Sequence, residues 1–369
     1  MKILHVYKDF YPVVGGIENH LKLLTGELSR LADTEVEVLV TNTGPRTVVE
    51  RFYGVRVTKA ARLATIASTP ISLALLREVG RRHYDIIHLH FPYPVGEMAS
   101  LWRGRARRLV ITYHSDVVRQ RLILRFYHPF LLRLLARTDA IIATSPKYIE
   151  TSPYLSRFKE KCTVVPFGID VAFFQNQVNP SVEAQLKAAY KPPFLLFVGK
   201  FRYYKGLHYL IEAMRQIPKG ALLLVGSGPE EASLRAQVKS LGLEARVAFL
   251  GEVEEHLLPS FYHASQVFVL PACQRAEAFG IVQLEAMACG LPVVSTEVGT
   301  GTSYVNQHEV TGLVVPPADP DALADAINKL LADEALRQAM GRAARVRAEA
   351  EFTKERMVER VRALYEQIL

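Results

Sequence analysis

Short apolar runs rich in β-branched residues alternate with amphipathic helical patterns along this chain, and no other feature limits its fold as strongly. Strands with uninterrupted apolar runs are typical of a parallel sheet that helices cover on both faces. The pattern therefore predicts an α/β protein. In the first half the predicted strands are Ile3–Tyr7, Val36–Thr41, Val55–Lys59, Ile86–Phe91, Leu109–His114, Ala140–Thr144 and Thr163–Phe167.

The alternation stops at Asp170–Pro193, a segment with two asparagines and three prolines, and then starts again. A length of 369 residues is about twice that of a common single domain. We predict two doubly wound domains, residues 1–172 and 173–352, with helix 353–369 packing back on the first. The later strands are predicted at Phe194–Gly199, Ala221–Val225, Val247–Leu250, Val267–Leu270, Pro292–Ser295 and Leu313–Val315.

The cysteines and the N-terminus indicate a reducing compartment. Cys162, Cys273 and Cys289 are odd in number and lack CxxC spacing, and the N-terminal residues form no signal-peptide pattern. The long uncharged run His256–Gln274 contains two prolines and several polar residues, so it is not expected to cross lipid as a helix. These features predict a soluble, cytoplasmic protein.

Positive charge is concentrated in one segment of the first half. Residues 1–180 hold 25 Lys and Arg against 15 Asp and Glu, whereas the remainder holds 20 against 22. Residues 101–137 alone contain nine arginines and one acidic residue, interleaved with leucines and aromatics. Such a segment suits an anionic membrane surface, at about 1 kcal/mol per basic residue. An ordinary amphipathic helix with solvated arginines has the same pattern. No nucleic-acid-binding signature accompanies the charge, so a nucleic acid partner is not expected.

Two loops that follow predicted strands carry features suited to phosphate. Gly15 and Gly16 precede a helix, so the backbone can approach a ligand closely and the helix amides favour an anion. The spacing is not GxGxxG, which argues against a dinucleotide fingerprint. Arg202 and Lys205 follow the first strand of the second half, where two fixed cations are able to clamp a diphosphate without a metal ion. Solvated charges on a turn are the alternative.

The segment Glu277–Pro292 suits a nucleotide sugar. Gly280 lets the chain turn into a helix whose first amides are free, while Glu277 precedes this helix and Glu285 lies within it. Carboxylates accept hydrogen bonds from sugar and ribose hydroxyls. Surface acids flanking a buried helix are the alternative, but they leave the Phe279-Gly280 turn unexplained.

Together these segments resemble the retaining GT-B glycosyltransferases of the type that includes bacterial phosphatidylinositol mannosyltransferases and O-antigen mannosyltransferases. The resemblance covers the whole chain and includes Leu224–Pro229 and Gly312–Pro316. It implies a GT-B fold, in which two doubly wound Rossmann-like parallel-sheet domains face a cleft.

The resemblance also implies four catalytic residues: His114, Arg202, Lys205 and Glu277. Arg202 and Lys205 match the diphosphate clamp, and Glu277 matches the group that holds the transferred sugar. His114, at a strand end, matches the active-site histidine near the sugar, although a lone histidine is more often structural.

Further residues are implied in donor binding. Glu285 matches the carboxylate that holds the ribose hydroxyls. The others supply the phosphate loop, the amides near the sugar and the segment that contacts the base: Gly15, Gly16, Phe279, Gly280, Ile281, Gly251 and Val253.

A metal is not expected. His88 and His90 share one face of a strand, and with Asp85 they suggest a metal site. The resembling family needs no metal, so a packed pair is the expectation, and no cofactor is predicted beyond the donor substrate.

The resulting hypothesis is a metal-independent hexosyltransferase for cell-envelope polysaccharide or glycolipid. Its donor is a nucleoside diphosphate sugar, with GDP-mannose favoured, and its acceptor is a glycan or a lipid-linked sugar. Attachment to the inner face of the plasma membrane follows from the basic segment. Two alternatives stay open, a nucleotide-sugar 2-epimerase on the same fold and a non-catalytic nucleotide-sugar-binding protein.

Overall fold

The computed structural model describes residues 1–13, 15–66, 69–116 and 121–369. Contacts divide these residues into two compact units. The first unit comprises Met1–Gly168 and Lys354–Leu369, and the second comprises Ile169–Thr353. Each unit is built on a doubly wound parallel sheet, so the predicted α/β fold class is confirmed.

The first unit contains an eight-stranded sheet in the order β10-β9-β8-β7-β1-β2-β4-β3, parallel except for the β3–β4 pair, and a separate β5–β6 hairpin. Its strands are β1 (Lys2–Val6), β2 (Glu35–Thr41), β3 (Val48–Phe52), β4 (Val55–Ala60), β5 (Ala64–Ile66), β6 (Thr69–Ile71), β7 (Tyr84–Phe91), β8 (Ala106–Tyr113), β9 (Ala140–Ala143) and β10 (Cys162–Val164).

The second unit contains a six-stranded, fully parallel sheet in the order β13-β12-β11-β14-β15-β16. Strands β11 and β12 are buried along their whole length, as expected for a sheet covered on both faces. The strands are β11 (Phe194–Val198), β12 (Ala221–Val225), β13 (Val247–Gly251), β14 (Val267–Leu270), β15 (Val293–Thr296) and β16 (Gly312–Val315).

Helices connect the strands in both units. In chain order they are α1 (Gly16–Leu28), α2 (Leu73–Val79), α3 (Pro94–Arg103), α4 (Arg121–Arg137), α5 (Pro146–Thr151), α6 (Val171–Asn176), α7 (Pro180–Ala189), α8 (Leu207–Ala213), α9 (Glu231–Ser240), α10 (Leu258–Ala264), α11 (Ile281–Ala288), α12 (Thr302–Val305), α13 (Pro320–Ala332), α14 (Glu334–Glu351) and α15 (Lys354–Ile368). Helix α15 belongs to the first unit, where it packs against α1. Among the described helices, none combines the length and the apolar composition needed to cross a membrane.

Every predicted strand is present, and its bounds differ from the prediction by three residues at most. The short strands β5 and β6 were not predicted, and neither was β3. Strand β3 lies at the sheet edge, where its mixed apolar and charged sequence is largely exposed. Tyr53 and Gly54 both have positive φ, which is the hairpin-turn geometry that joins β3 to β4.

The predicted connection at Asp170–Pro193 instead contains two helices, α6 and α7, within the second unit. Asp170 caps α6 by accepting the N–H of Phe173 at 3.0 Å, and Asn179 caps α7 by accepting the N–H of Ser181 at 3.0 Å. The Asn-Pro pair that suggested an interruption is therefore a helix start, since Pro is favoured at the first helical position.

The basic segment 101–137 lies partly outside the described residues, which omit residues 117–120. In α4, Leu131, Leu134 and Leu135 are fully buried, whereas Arg133 and Arg137 are exposed. The apolar side chains in this part of α4 therefore pack into the protein, and its arginines face solvent.

Gly206 and Gly242 offer a matched test of backbone packing, because both have left-handed backbones with φ of 68° and 65°. A Cβ on Gly206 would overlap the carbonyl oxygen of Pro271, whereas a Cβ on Gly242 would have no neighbour within 4 Å. Gly242→Ala should cost about 1 kcal/mol of unfolding free energy. Gly206→Ala should cost about 1–3 kcal/mol more through overpacking. Urea unfolding measures both, and equal losses would contradict the packing assigned to Gly206.

Candidate functional site

A tight turn at the carboxyl end of β11 presents Lys205. The chain leaves β11 and forms a single 3-10 turn at Tyr203–Lys205, which Gly206 ends with a left-handed backbone. The carbonyl of Tyr204 accepts the N–H of Cys273 at 2.8 Å. This bond joins the turn to the loop after β14, the neighbouring strand, so the two loops form one edge of the site.

Lys205 forms an ion pair with Glu277 from the β14–α11 loop, and both residues are buried, at 9% and 8% exposure. Burial alone would lower the pKa of Lys205, but the Glu277 carboxylate reverses the effect and the pKa is raised. Lys205 therefore stays charged at neutral pH. A buried ion pair costs desolvation energy, so its retention favours a role in presenting charge rather than in stability alone.

The Glu277–Gly280 turn is fixed by hydrogen bonds from a neighbouring loop. The carbonyl of Glu277 accepts a hydrogen bond from the Thr300 hydroxyl at 2.7 Å. The carbonyl of Ala278 accepts a hydrogen bond from the N–H of Gly301, also at 2.7 Å. Gly280 has a φ of 76°, and a Cβ there would lie 2.6 Å from Leu270 Cδ2, so glycine is required.

The aromatic side chain of this turn packs into the protein. Phe279 is 2% exposed, and its ring packs edge-on against Phe352. Helix α11 begins at Ile281, so its first amides lack partners within the helix. Ile281 carries one of these amides, whereas Phe279 and Gly280 precede the helix.

Glu285 lies one turn further along α11 and is half-buried. It accepts the Tyr262 hydroxyl at 2.6 Å. Burial raises the pKa of Glu285 to about 7, although the Tyr262 hydrogen bond and the Lys205 charge both lower it. Lys205, Glu277 and Glu285 thus share one electrostatic environment. Tyr262 was missed in the sequence, where nothing marks its approach to Glu285 from α10.

Arg202 differs from Lys205 in its surroundings. It is exposed, and it lines a pocket of about 170 Å³ between α8 and α9 together with His208, Glu230 and Gln237. Among the described residues Arg202 forms no ion pair. The two predicted clamp residues are therefore near each other in sequence, but only Lys205 belongs to the buried pair.

Gly251 and Val253 lie at the same edge of the sheet, at the end of β13. Strands β11, β12 and β13 each end at or are followed by a glycine with positive φ, namely Gly199, Gly226 and Gly251. The Gly251 carbonyl accepts the N–H of Gly226 at 2.7 Å. Val253 is half-buried. No described contact links Gly251 or Val253 to the Lys205–Glu277 pair.

In the first unit, Gly15 and Gly16 form the start of α1. Gly15 is the N-cap residue and Gly16 the first helical residue. A Cβ on Gly15 would overlap the Glu18 carboxylate, so glycine leaves room for that carboxylate beside the helix N-terminus. Glu18 is buried in the first turn of α1, where the positive end of the helix dipole favours a carboxylate.

His114 lies in a buried group of five histidines, the histidine cluster, whose members are His5, His20, His88, His90 and His114. Burial lowers the pKa of His5 and of His20 to about 3, and nearby histidine charge adds to the effect at His5. Burial likewise lowers the pKa of His88, His90 and His114 well below the ordinary value. All five rings are neutral at pH 7. His5 and His20 were missed because each is isolated in sequence.

His88 and His90 stack on each other with ring centres 4.7 Å apart. His88 bonds the hydroxyls of Tyr365 and Thr112. Asp85, which completed the metal hypothesis, instead accepts the N–H of Lys2 and pairs with Arg107. Ring nitrogens do approach within 4.8 Å in two overlapping groups of three, His5-His88-His90 and His20-His90-His114.

The chain matches two glycosyltransferase family descriptions, one over each half. Residues 14–173 match Glycosyltransferase Family 4, and residues 179–347 match Glycosyl transferases group 1. Among curated proteins, it is 36% identical to O-antigen chain mannosyltransferase C of Escherichia coli, over 100% of this chain and 99% of that one.

Two further matches also span most of the chain. It is 38% identical to D-rhamnosyltransferase WbpZ of Pseudomonas aeruginosa, over 96% of this chain and 92% of that one. Among solved structures, a sucrose-phosphate synthase from Thermosynechococcus elongatus has a TM-score of 0.84 and 28% identity, covering 100% of this chain and 98% of that one.

Proposed function

This chain belongs to the group 1 glycosyl transferases, and on that basis we propose that it moves a hexose from a nucleoside diphosphate sugar to a glycan or lipid-linked acceptor in cell-envelope synthesis. Transfer proceeds with retention at the anomeric carbon. The observation that carries the proposal is the buried Lys205–Glu277 pair at the carboxyl edge of the second sheet. Ligands of open parallel sheets bind at that edge.

The site residues have distinct roles in this proposal. The Lys205 ammonium and the α11 amides hold the diphosphate, and Arg202, exposed nearby, supplies a second positive charge as the donor binds. Glu277 orients Lys205 and accepts a hydrogen bond from a hydroxyl of the transferred sugar. Glu285 accepts the ribose hydroxyls once its carboxyl is ionised.

The reaction breaks the bond between the anomeric carbon and the diphosphate oxygen, and the acceptor oxygen bonds that carbon from the same face. The acceptor proton passes to the departing diphosphate oxygen, so no protein carboxylate forms a covalent intermediate. Negative charge grows on the diphosphate as the bond breaks. Lys205 and the helix amides stabilise that charge, and the proposal therefore assigns the charge stabilisation to protein groups rather than to a metal ion.

We favour a sugar of manno configuration, with GDP-mannose as donor. Two relatives are named for mannosyl and D-rhamnosyl transfer, and D-rhamnose is 6-deoxy-D-mannose. Both are named as transferases, which favours transfer over 2-epimerisation or donor binding alone. His114, Gly15, Gly16, Gly251 and Val253 keep the roles that the family resemblance implies for them.

Glu285→Gln tests the donor site. The donor for this test is the nucleotide sugar that raises the melting temperature most, which we expect to be GDP-mannose. With this donor, Glu285→Gln should lower kcat/KM at least about 30-fold, which corresponds to about 2 kcal/mol. The matched control is Glu255→Gln, an exposed carboxylate whose charge also acts on Glu285. It should stay within about threefold of wild type. Near-wild-type transfer by Glu285→Gln would contradict the proposed role of this carboxylate.

We further propose peripheral attachment to the inner face of the plasma membrane through residues 101–137. Exposed arginines at 103, 105, 133 and 137 support it, although Leu131, Leu134 and Leu135 are buried in the protein. The attachment is therefore electrostatic, without insertion of this part of α4.

Vesicle sedimentation tests the attachment. Arg133→Glu with Arg137→Glu should weaken binding to anionic vesicles at least about tenfold, since each basic residue contributes about 1 kcal/mol. Wild-type binding should fall as salt rises. The control double variant carries Lys187→Glu and Lys239→Glu, at two exposed positions of the second unit. It has the same net charge as the arginine double variant and should bind like wild type. The attachment would be refuted if wild type pelleted equally with neutral and anionic vesicles. It would also be refuted if wild type and both double variants pelleted equally with anionic vesicles.

A further inference from the structure

Three adjacent strands bring histidines to one face of the first sheet. His5 on β1 lies opposite His88 on β7, and His90 on β7 lies opposite Thr112 on β8. His114 follows Thr112 by two residues. Because side chains two apart on a strand point to the same face, these histidines meet in one layer.

Within this layer His5, His90 and His114 form a continuous hydrogen-bonded series, which we call the histidine chain. His5 Nδ1 lies 3.0 Å from His90 Nε2, and His90 Nδ1 lies 2.9 Å from His114 Nε2. Both nitrogens of the middle ring are therefore used. The outer nitrogens, His5 Nε2 and His114 Nδ1, are buried and have no hydrogen-bond partner among the described residues.

Neutral imidazoles restrict this arrangement. Burial lowers the pKa of each ring well below 7, so each ring carries one N–H and one bare nitrogen. If His90 donates from Nδ1 to His114, its Nε2 must accept from His5 Nδ1. If His90 instead donates from Nε2 to His5, its Nδ1 must accept from His114 Nε2. In any other pattern, two N–H groups or two bare nitrogens would face each other across a contact of about 3 Å.

We propose that the histidine chain couples the tautomers of its three rings, so that His5 and His90 are positioning residues that fix the tautomer of His114. All three rings carry hydrogen on Nδ1, or all three carry it on Nε2. Interconversion needs one proton to enter at His5 Nε2 as another leaves His114 Nδ1, or the reverse. His5 Nε2 is buried and has no hydrogen-bond partner among the described residues, so protons do not exchange at that end, and the chain acts as a lock rather than as a proton shuttle.

The consequence for transfer rests on the proposed function. His114 Nε2 is used within the chain, so Nδ1 is the one nitrogen of this ring that is not used there, and a contact of His114 with a substrate hydroxyl has to be made at Nδ1. The lock makes this atom a defined donor or a defined acceptor. His5 lies 85 positions from His90 in the sequence. Through His90 it acts on His114 without contacting the substrate.

The ring ¹⁵N shifts of selectively labelled histidine test the coupling directly, because they distinguish the two tautomers. In wild type, His5, His90 and His114 should all show the same tautomer. His5→Phe removes the end partner, so His90 and His114 should show averaged shifts of both tautomers. His5→Asn restores a hydrogen-bonding group near the Nδ1 position and should restore a single tautomer. His128→Phe, at a histidine bonded to Tyr154 outside the cluster, should leave these shifts unchanged.

Turnover adds a second readout. His5→Phe should lower kcat about tenfold with little change in the donor KM, and His5→Asn should recover most of the loss. Mixed tautomers in wild type would overturn the proposal, as would unchanged His114 shifts in folded His5→Phe. A stoichiometric metal ion bound to these rings would also overturn it, since coordinated nitrogens cannot serve in the chain. Failure of every nucleotide sugar as donor would refute the proposed function, and the tautomer result would still decide the coupling.

Discussion

The buried ion pair between Lys205 and Glu277 is the interaction on which the proposed donor site depends. It joins the turn after β11 to the loop after β14, and it keeps an ammonium charged where burial alone would favour its neutral form. A lone buried ammonium would lose its proton or draw in water. Glu277 therefore preserves the positive charge. In the proposed function, both groups are already desolvated when the donor binds.

Parallel-sheet architecture explains why the other groups lie where they do. The carboxyl ends of β11, β12 and β13 open into loops that begin or end with positive-φ glycines, which bring backbone close to the sheet edge. Helix α11 starts at Ile281, directly after the β14–α11 loop that carries Glu277. In the proposed function the α11 amides and the Lys205 charge are in place before the donor binds, and such preorganised groups stabilise developing negative charge without reorganising during the reaction.

Apolar periodicity predicted the two sheets and their strands because burial on both faces leaves a strong pattern in the sequence. The same approach missed the three-residue strands β5 and β6, and it missed β3, an exposed edge strand with a mixed sequence. The motifs and the family resemblance predicted Lys205, Glu277 and Glu285 as site residues, and this stays a prediction. They did not predict the pairing of Lys205 with Glu277. The hydrogen bond of Tyr262 to Glu285 and the packing of the five histidines depend on which helices and strands meet in the fold. The spacing of residues along the chain does not show this. Asp170–Pro193 was wrongly taken for a connection because caps and breaks use the same residues.

The most direct test of the central claim is calorimetric binding of a nucleoside diphosphate and its monophosphate in the presence of EDTA. Wild type should prefer the diphosphate at least about tenfold, as a charge-assisted contact requires. The double variant Lys205→Met, Glu277→Gln removes both buried charges together, and it should lose this preference. Lys200→Met, at an exposed lysine on the same loop, should keep it. An undiminished preference in the double variant, or a wild-type preference that disappears with EDTA, would contradict the account.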